Sequence, residues 1–167
     1  MRWTLVGLGC VLVLAIAVVA IGALLPKAHV AMRRAAYRQT PEVLFSILTN
    51  FSAAPSWRSS LKRVDILAPR EGKPSFRETG RNGTLTFVVD ELAAPHRLVT
   101  RIVDNSSFGG TWTYEISSDA SGCLLAITER GEVYNPLFRF MGRFFFSQTA
   151  TLEAYLADLS RKLGEAP

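Results

Sequence analysis

CLLAITERGEVYNPLFRFMGRFFF, residues 123–146, holds the reading on which the fold turns, because two periodicities meet inside it. Up to Val133 the residues alternate: Leu125, Ile127, Glu129, Gly131 and Val133 share one side, Leu124, Ala126, Thr128, Arg130 and Glu132 the other. That period of two is a strand with one buried face. Asn135-Pro136 then supplies an N-cap and a first-turn proline, and a helical period runs to about Leu163, where Gly164 stops it. A last strand followed by a long closing helix is therefore predicted.

Upstream, the same alternation recurs in LKRVDILA (61–68), SFRETG (75–80), TLTFVVDEL (84–92), RLVTRIVD (97–104) and GTWTYEIS (110–117). Turn residues separate these runs, among them Asn82-Gly83, Gly109-Gly110 and Ser121-Gly122. Six consecutive strands at hairpin spacing make an antiparallel meander. HVAMRRAAY (29–37) adds a strand in front, which makes seven. Between it and the meander, Thr40-Pro41-Glu42 starts a helix, and FSAAPSW (51–57) forms a second short helix or turn. The order is α+β: a seven-stranded curved antiparallel sheet whose apolar face must be covered by the closing helix.

The N-terminus is different in kind. Trp3 to Leu25 carries no charge, and as a helix it is about 34 Å long, enough for a hydrocarbon core of about 30 Å. Cleaved signals have apolar regions of only about 7–15 residues, and the literal small-x-small site at Ala15 and Ala17 lies mid-run. An uncleaved anchor over residues 1–27, with a domain over 28–167, is the expectation. Lys27, Arg33, Arg34 and Arg38 just after the span favour a cytoplasmic domain, although Arg2 before the run is also how exported anchors begin. Cys10 in the anchor and Cys123 in the domain are not expected to pair. The net charge of +5 is not gathered into a nucleic-acid-binding motif, so no nucleic-acid partner is expected.

RQTPEVLFSILTNFSAAPSW (38–57), GTWTYEIS and CLLAITERGEV resemble the opening and the last two strands of the START-like superfamily. That superfamily, also called SRPBCC, includes polyketide cyclases, lipid-transfer domains and Bet v 1-type proteins. The resemblance covers about Val30 to Leu163 and implies a helix-grip fold, with a hydrophobic small molecule held between sheet and closing helix. With the anchor, the chain resembles a membrane-tethered bacterial subgroup, which implies the inner membrane.

Pocket candidates follow from the faces. Phe87 belongs to the apolar set of the central hairpin, and Trp112 and Tyr114 share a face of the next strand. Glu129 points inward, where a carboxylate needs a partner. A ligand group, an arginine such as Arg101 or Arg77, or a bulge at Gly131 would each resolve it. On a wheel of about 100° per residue, Met141, Phe144, Phe145 and Gln148 fall on the sheet-facing arc, with Leu137 before them. Leu152, Tyr155, Leu156, Leu159 and Leu163 continue that arc. Gln148 is a ligand contact or a satisfied buried amide. Arg139, Arg143 and Phe146 lie opposite and Phe140 on the flank; they are candidates for a lipid-facing surface, or for cover by the first helices.

No nucleophile elbow, phosphate loop, paired carboxylates or metal spacing appears, so no catalytic residue, metal or cofactor is expected. The expected role is a membrane-anchored binding domain for a hydrophobic small molecule or lipid, with the bilayer as partner. A cyclase- or hydrolase-type enzyme in the same pocket is the alternative, and an interaction module without ligand the third.

Overall fold

A computed structural model of the chain describes residues 2–81, 83–145, 147 and 149–165, with side-chain burial from residue 7. Asn82, Phe146 and Gln148, each singled out by sequence, lie outside the described residues. The apolar run forms helix α1 (Arg2–Leu24). After three intervening residues the chain enters β1 (Ala28–Tyr37). Helix α2 (Pro41–Thr49) follows, with Thr40 Oγ1 accepting the Val43 N–H as its N-cap. It buries Leu44, Phe45 and Leu48, while Val43 is turned out. A 3₁₀ turn (Phe51–Ser56) leads to the meander.

The meander is β2 (Leu61–Arg70), β3 (Lys73–Gly80), β4 (Gly83–Ala93), β5 (Arg97–Val103), β6 (Phe108–Asp119) and β7 (Gly122–Val133). All neighbours are antiparallel, and the seven-stranded order is β1-β7-β6-β5-β4-β3-β2. The concave face follows the alternation read from sequence: Cys123, Leu125 and Ile127 of β7 are fully buried, beside Tyr114 and Ile116 of β6 and Leu98 of β5. Each fully buried leucine or isoleucine contributes about 1.5–3 kcal/mol relative to an exposed one.

The closing segment departs from expectation. It is two helices, α3 (Pro136–Phe144) and α4 (Ala150–Leu163). Asn135 Oδ1 caps α3 by accepting the Leu137 N–H at 2.9 Å. Only α4 is gripped by the sheet: Leu152, Tyr155, Leu156 and Leu159 are buried. Arg33 on β1 donates to Glu153 and Thr149 at 2.8–3.0 Å, and Asp158 accepts the Ser59 amide at 2.7 Å, so both ends of α4 are tied down. Gly142, Phe144, Phe145, Ser147 and Thr149 are weak helix formers, and α3 ends at Phe144 among them.

α3 leans on α1 instead. A Cβ at Gly22 would overlap the Pro136 carbonyl, so only glycine permits this approach. The break rotates α3 out of the wheel drawn across it. Leu137, Phe144 and Phe145, assigned to the sheet-facing arc, are 44%, 57% and 66% exposed. Met141 is half-buried on the same helix, away from the concave face. Arg139, assigned to an outer surface, is buried, because that side of α3 meets the end of α1: its Nη1 donates to Leu25 O at 2.9 Å and to Ala23 O at 3.5 Å.

Candidate functional site

The concave groove between sheet and α4 is filled by rings. Tyr155 of α4 stands 5.3 Å from Trp57 edge-on, 5.7 Å from Tyr114 and 6.0 Å from Trp112. Trp112 and Tyr114 lie two residues apart on β6 and share its concave face. Phe87 sits elsewhere, stacked on Phe76 at 5.2 Å, and Phe76 on Phe51 at 4.1 Å. That stack belongs to the same buried core.

Among the rings lies an ion pair that the sequence reading missed. Arg58, just past the 3₁₀ turn, pairs with Glu78 of β3, and its guanidinium carbon lies 4.9 Å above the Tyr155 ring. The side chains are only 16% and 12% exposed. Burial alone would make Arg58 easier to deprotonate; the Glu78 charge and hydrogen bond, together with the neighbouring Tyr155 and Tyr114, outweigh that and hold the guanidinium charged. Burial pushes the phenols of Tyr114 and Tyr155 upward, Tyr114 helped by its neighbour Tyr155, and Arg58 opposes the shift only in part. The signal for Glu78 was its parity with Phe76 on the apolar face of β3. For Arg58 no sequence signal exists, because it sits outside any periodic element.

A half-open cleft of about 440 Å³ lies where α3 meets β7 and the chain leaving α1. The segment 25–29 forms one wall, and Glu129 and Val133 of β7 a second. Phe138, Arg139 and Arg143 of α3 form a third, and Ser147 and Thr151 close it toward α4. Glu129 does point inward, and its partner is His29, with Nε2 3.7 Å from Oε1. Gly131 pairs with His29 across the strands, and a Cβ there would strike the imidazole. Arg101 and Arg77 do not serve Glu129, because both have outward parity: Arg101 donates to Asp90 at 2.6 Å, and Arg77 is exposed. Gly131 holds regular register, with no bulge. Glu129 also faces Trp112 across β6 and β7, so the cleft wall adjoins the aromatic groove.

Of the sequence-derived pocket residues, the structure gathers Trp112 and Tyr114 around Tyr155 and places Glu129 on the cleft wall. It separates Phe87 from them and leaves Met141 and Phe144 on α3, and Phe145 just past its end, outside the groove. Arg139 and Arg143, expected to face lipid, line the cleft. Phe140 is half-buried, its ring 4.8 Å from Phe144 and 6.3 Å from Phe145. Among the described residues no three His, Cys, Asp or Glu side chains gather to hold a metal ion.

Comparison with known proteins adds to this geometry. A family described as polyketide cyclase / dehydrase and lipid transport matches residues 6–164. No curated protein matches the chain. Among solved structures, a START superfamily protein from Mycobacterium smegmatis is 21% identical, with 81% of this chain and 97% of that chain covered and a TM-score of 0.65. Norcoclaurine synthase from Thalictrum flavum is 9% identical, with 83% and 88% covered and a TM-score of 0.63. Ginseng major latex-like protein 151 from Panax ginseng is 9% identical, with 83% and 97% covered and a TM-score of 0.63. At these identities the structures speak for the fold, which they share over most of their length.

Proposed function

Because the chain belongs to the polyketide cyclase / dehydrase and lipid transport family, we propose that it is a membrane-anchored binding domain for a hydrophobic small molecule or lipid. The observation that carries this reading is the cleft. Its volume of about 440 Å³ falls in the usual range for small-molecule sites, Leu25, Val133 and Phe138 give it apolar wall, and it opens where the apolar helix joins the domain.

The membrane part rests on α1 and α3 together. Residues 7–24 have a mean hydropathy of 2.8, with only 6% of that window buried. A helix so apolar and so exposed is not core and needs a non-aqueous surround. Beside it, Leu137, Phe144 and Phe145 present apolar side chains outward, with Arg143 of the cleft wall exposed next to them. Rings and arginines at the end of a span suit the headgroup region. The cationic residues after α1 favour the cytoplasmic face of a bacterial inner membrane.

Native mass spectrometry and solvent extraction of the full chain, purified in mild detergent from cells, test the reading. A stoichiometric apolar molecule is expected; a chain free of any bound amphiphile or small molecule overturns it. One observation favours an enzyme as second reading: two phenols held neutral beside a charged arginine, in the groove, can donate hydrogen bonds to a ligand carbonyl. Loss of turnover in Tyr114→Phe with stability intact supports it, and unchanged turnover refutes it.

A further inference from the structure

We propose that the cleft between α1, β7 and α3 is a site for a phosphate oxyanion, presented as the head of an amphiphile. The proposal rests on the reading of the domain as a binder of hydrophobic ligands and names the polar end of what it binds.

The first observation is the charge on the walls. Lys27 comes from the segment after α1, and Arg139 and Arg143, four residues apart, project from one side of α3. Against these cations the cleft holds a single carboxylate, Glu129, which already faces His29. The second observation is independent of charge count. Arg139 is 8% exposed, and its Nε–H is buried without an acceptor among the described residues. The rest of that guanidinium is fixed in place, since its Nη1 serves the last carbonyls of α1. A buried donor left unpaired on a charged group is costly; an anion drawn into the cleft beside the guanidinium would offset that cost through its charge, and a small shift of the side chain would bring the Nε–H to it.

The shape of the cleft gives the ligand class. A lone carboxylate needs one arginine; a phosphate offers oxygens to several donors at once, and here they come from two segments of chain. Leu25, Val133 and Phe138 line the same cleft, so it also offers an apolar surface to the carbon skeleton behind the phosphate. The rim is the end of α1, whose exposed apolar length would place the opening beside lipid headgroups.

The full chain in mild detergent would be offered phosphatidylglycerol, or diacylglycerol with the same acyl chains, and retention compared by native mass spectrometry. A separate arm would follow thermal protection by inorganic phosphate. Phosphatidylglycerol should be retained about tenfold more than diacylglycerol, and Arg143→Gln and Lys27→Gln should each reduce that preference about fivefold. Both substituted side chains are exposed, so the fold should survive. Saturable protection by inorganic phosphate that Arg143→Gln removes also supports the oxyanion site and assigns it a soluble source. Equal retention of the two lipids without phosphate protection, or a preference indifferent to both substitutions, overturns the site and leaves the hydrophobic-ligand reading standing. Retention of neither lipid, with phosphate protection intact, does the reverse.

Discussion

Removing one partner of the Arg58–Glu78 pair tests whether that pair clamps the 3₁₀ turn onto the sheet. In Arg58→Met the Glu78 carboxylate stays behind in the groove with no counter-charge. Breaking a buried pair in this way costs about 3–5 kcal/mol. The side chains are 16% and 12% exposed, which allows some water to compensate and points to the lower end, about 3 kcal/mol. Loss of the guanidinium above Tyr155 adds about 0.5–1 kcal/mol. For a chain of this size the pair term alone corresponds to a fall in melting temperature of about 6–12 °C. The double variant Arg58→Met with Glu78→Leu leaves no orphaned charge and should return to within about 1 kcal/mol of the parent. Denaturant titration of the detergent-solubilised chain, followed by fluorescence of Trp57 and Trp112, reads these differences, since both rings pack on Tyr155. Single substitutions that each cost under about 1 kcal/mol and simply add would refute the clamp, because that is how a solvated surface pair behaves.

Four further outcomes are expected. Burial raises the Asp158 carboxyl, but hydrogen bonds from Arg161 and from the Ser59 amide and hydroxyl bring it below the ordinary 3.8. Its contribution is therefore full above that value and is lost as pH falls through the lowered one, so acid unfolding profiles of wild type and Asp158→Asn should converge at low pH. Burial raises Tyr114 and Tyr155, so their folded forms should stay protonated through the ordinary tyrosine range near 10, and ultraviolet titration should show them ionising only as the chain unfolds. Gly22→Leu should push α1 off Pro136 and expose α3 to protease, with the sheet and α4 still resistant; an unchanged digestion pattern counts against the packing of α1 on α3. In bilayers, with Cys10 replaced by serine, Phe145→Cys should resist a membrane-impermeant maleimide while Ile66→Cys, 61% exposed on β2 before substitution, reacts quickly; equal rates would place α3 in water.

The alternation in residues 61–133 determined the meander and, on β6 and β7, its faces and the direction of Glu129, because side chains alternate along a regular strand. Thr40, Pro41, Asn135 and Pro136 determined where two helices start, because caps are local chemistry. The apolar run determined α1. Local rules failed where a choice between partners was made. A wheel assumes one unbroken axis, and α3 turned from that axis to pack on α1, taking Phe144 and Phe145 outward and Arg139 inward. The partner of Glu129 was decided by a gap at Gly131 that admits the His29 ring, and the Arg58–Glu78 pair joins residues 20 apart through the curl of the sheet. Such pairings depend on distances between elements, which only the folded chain sets.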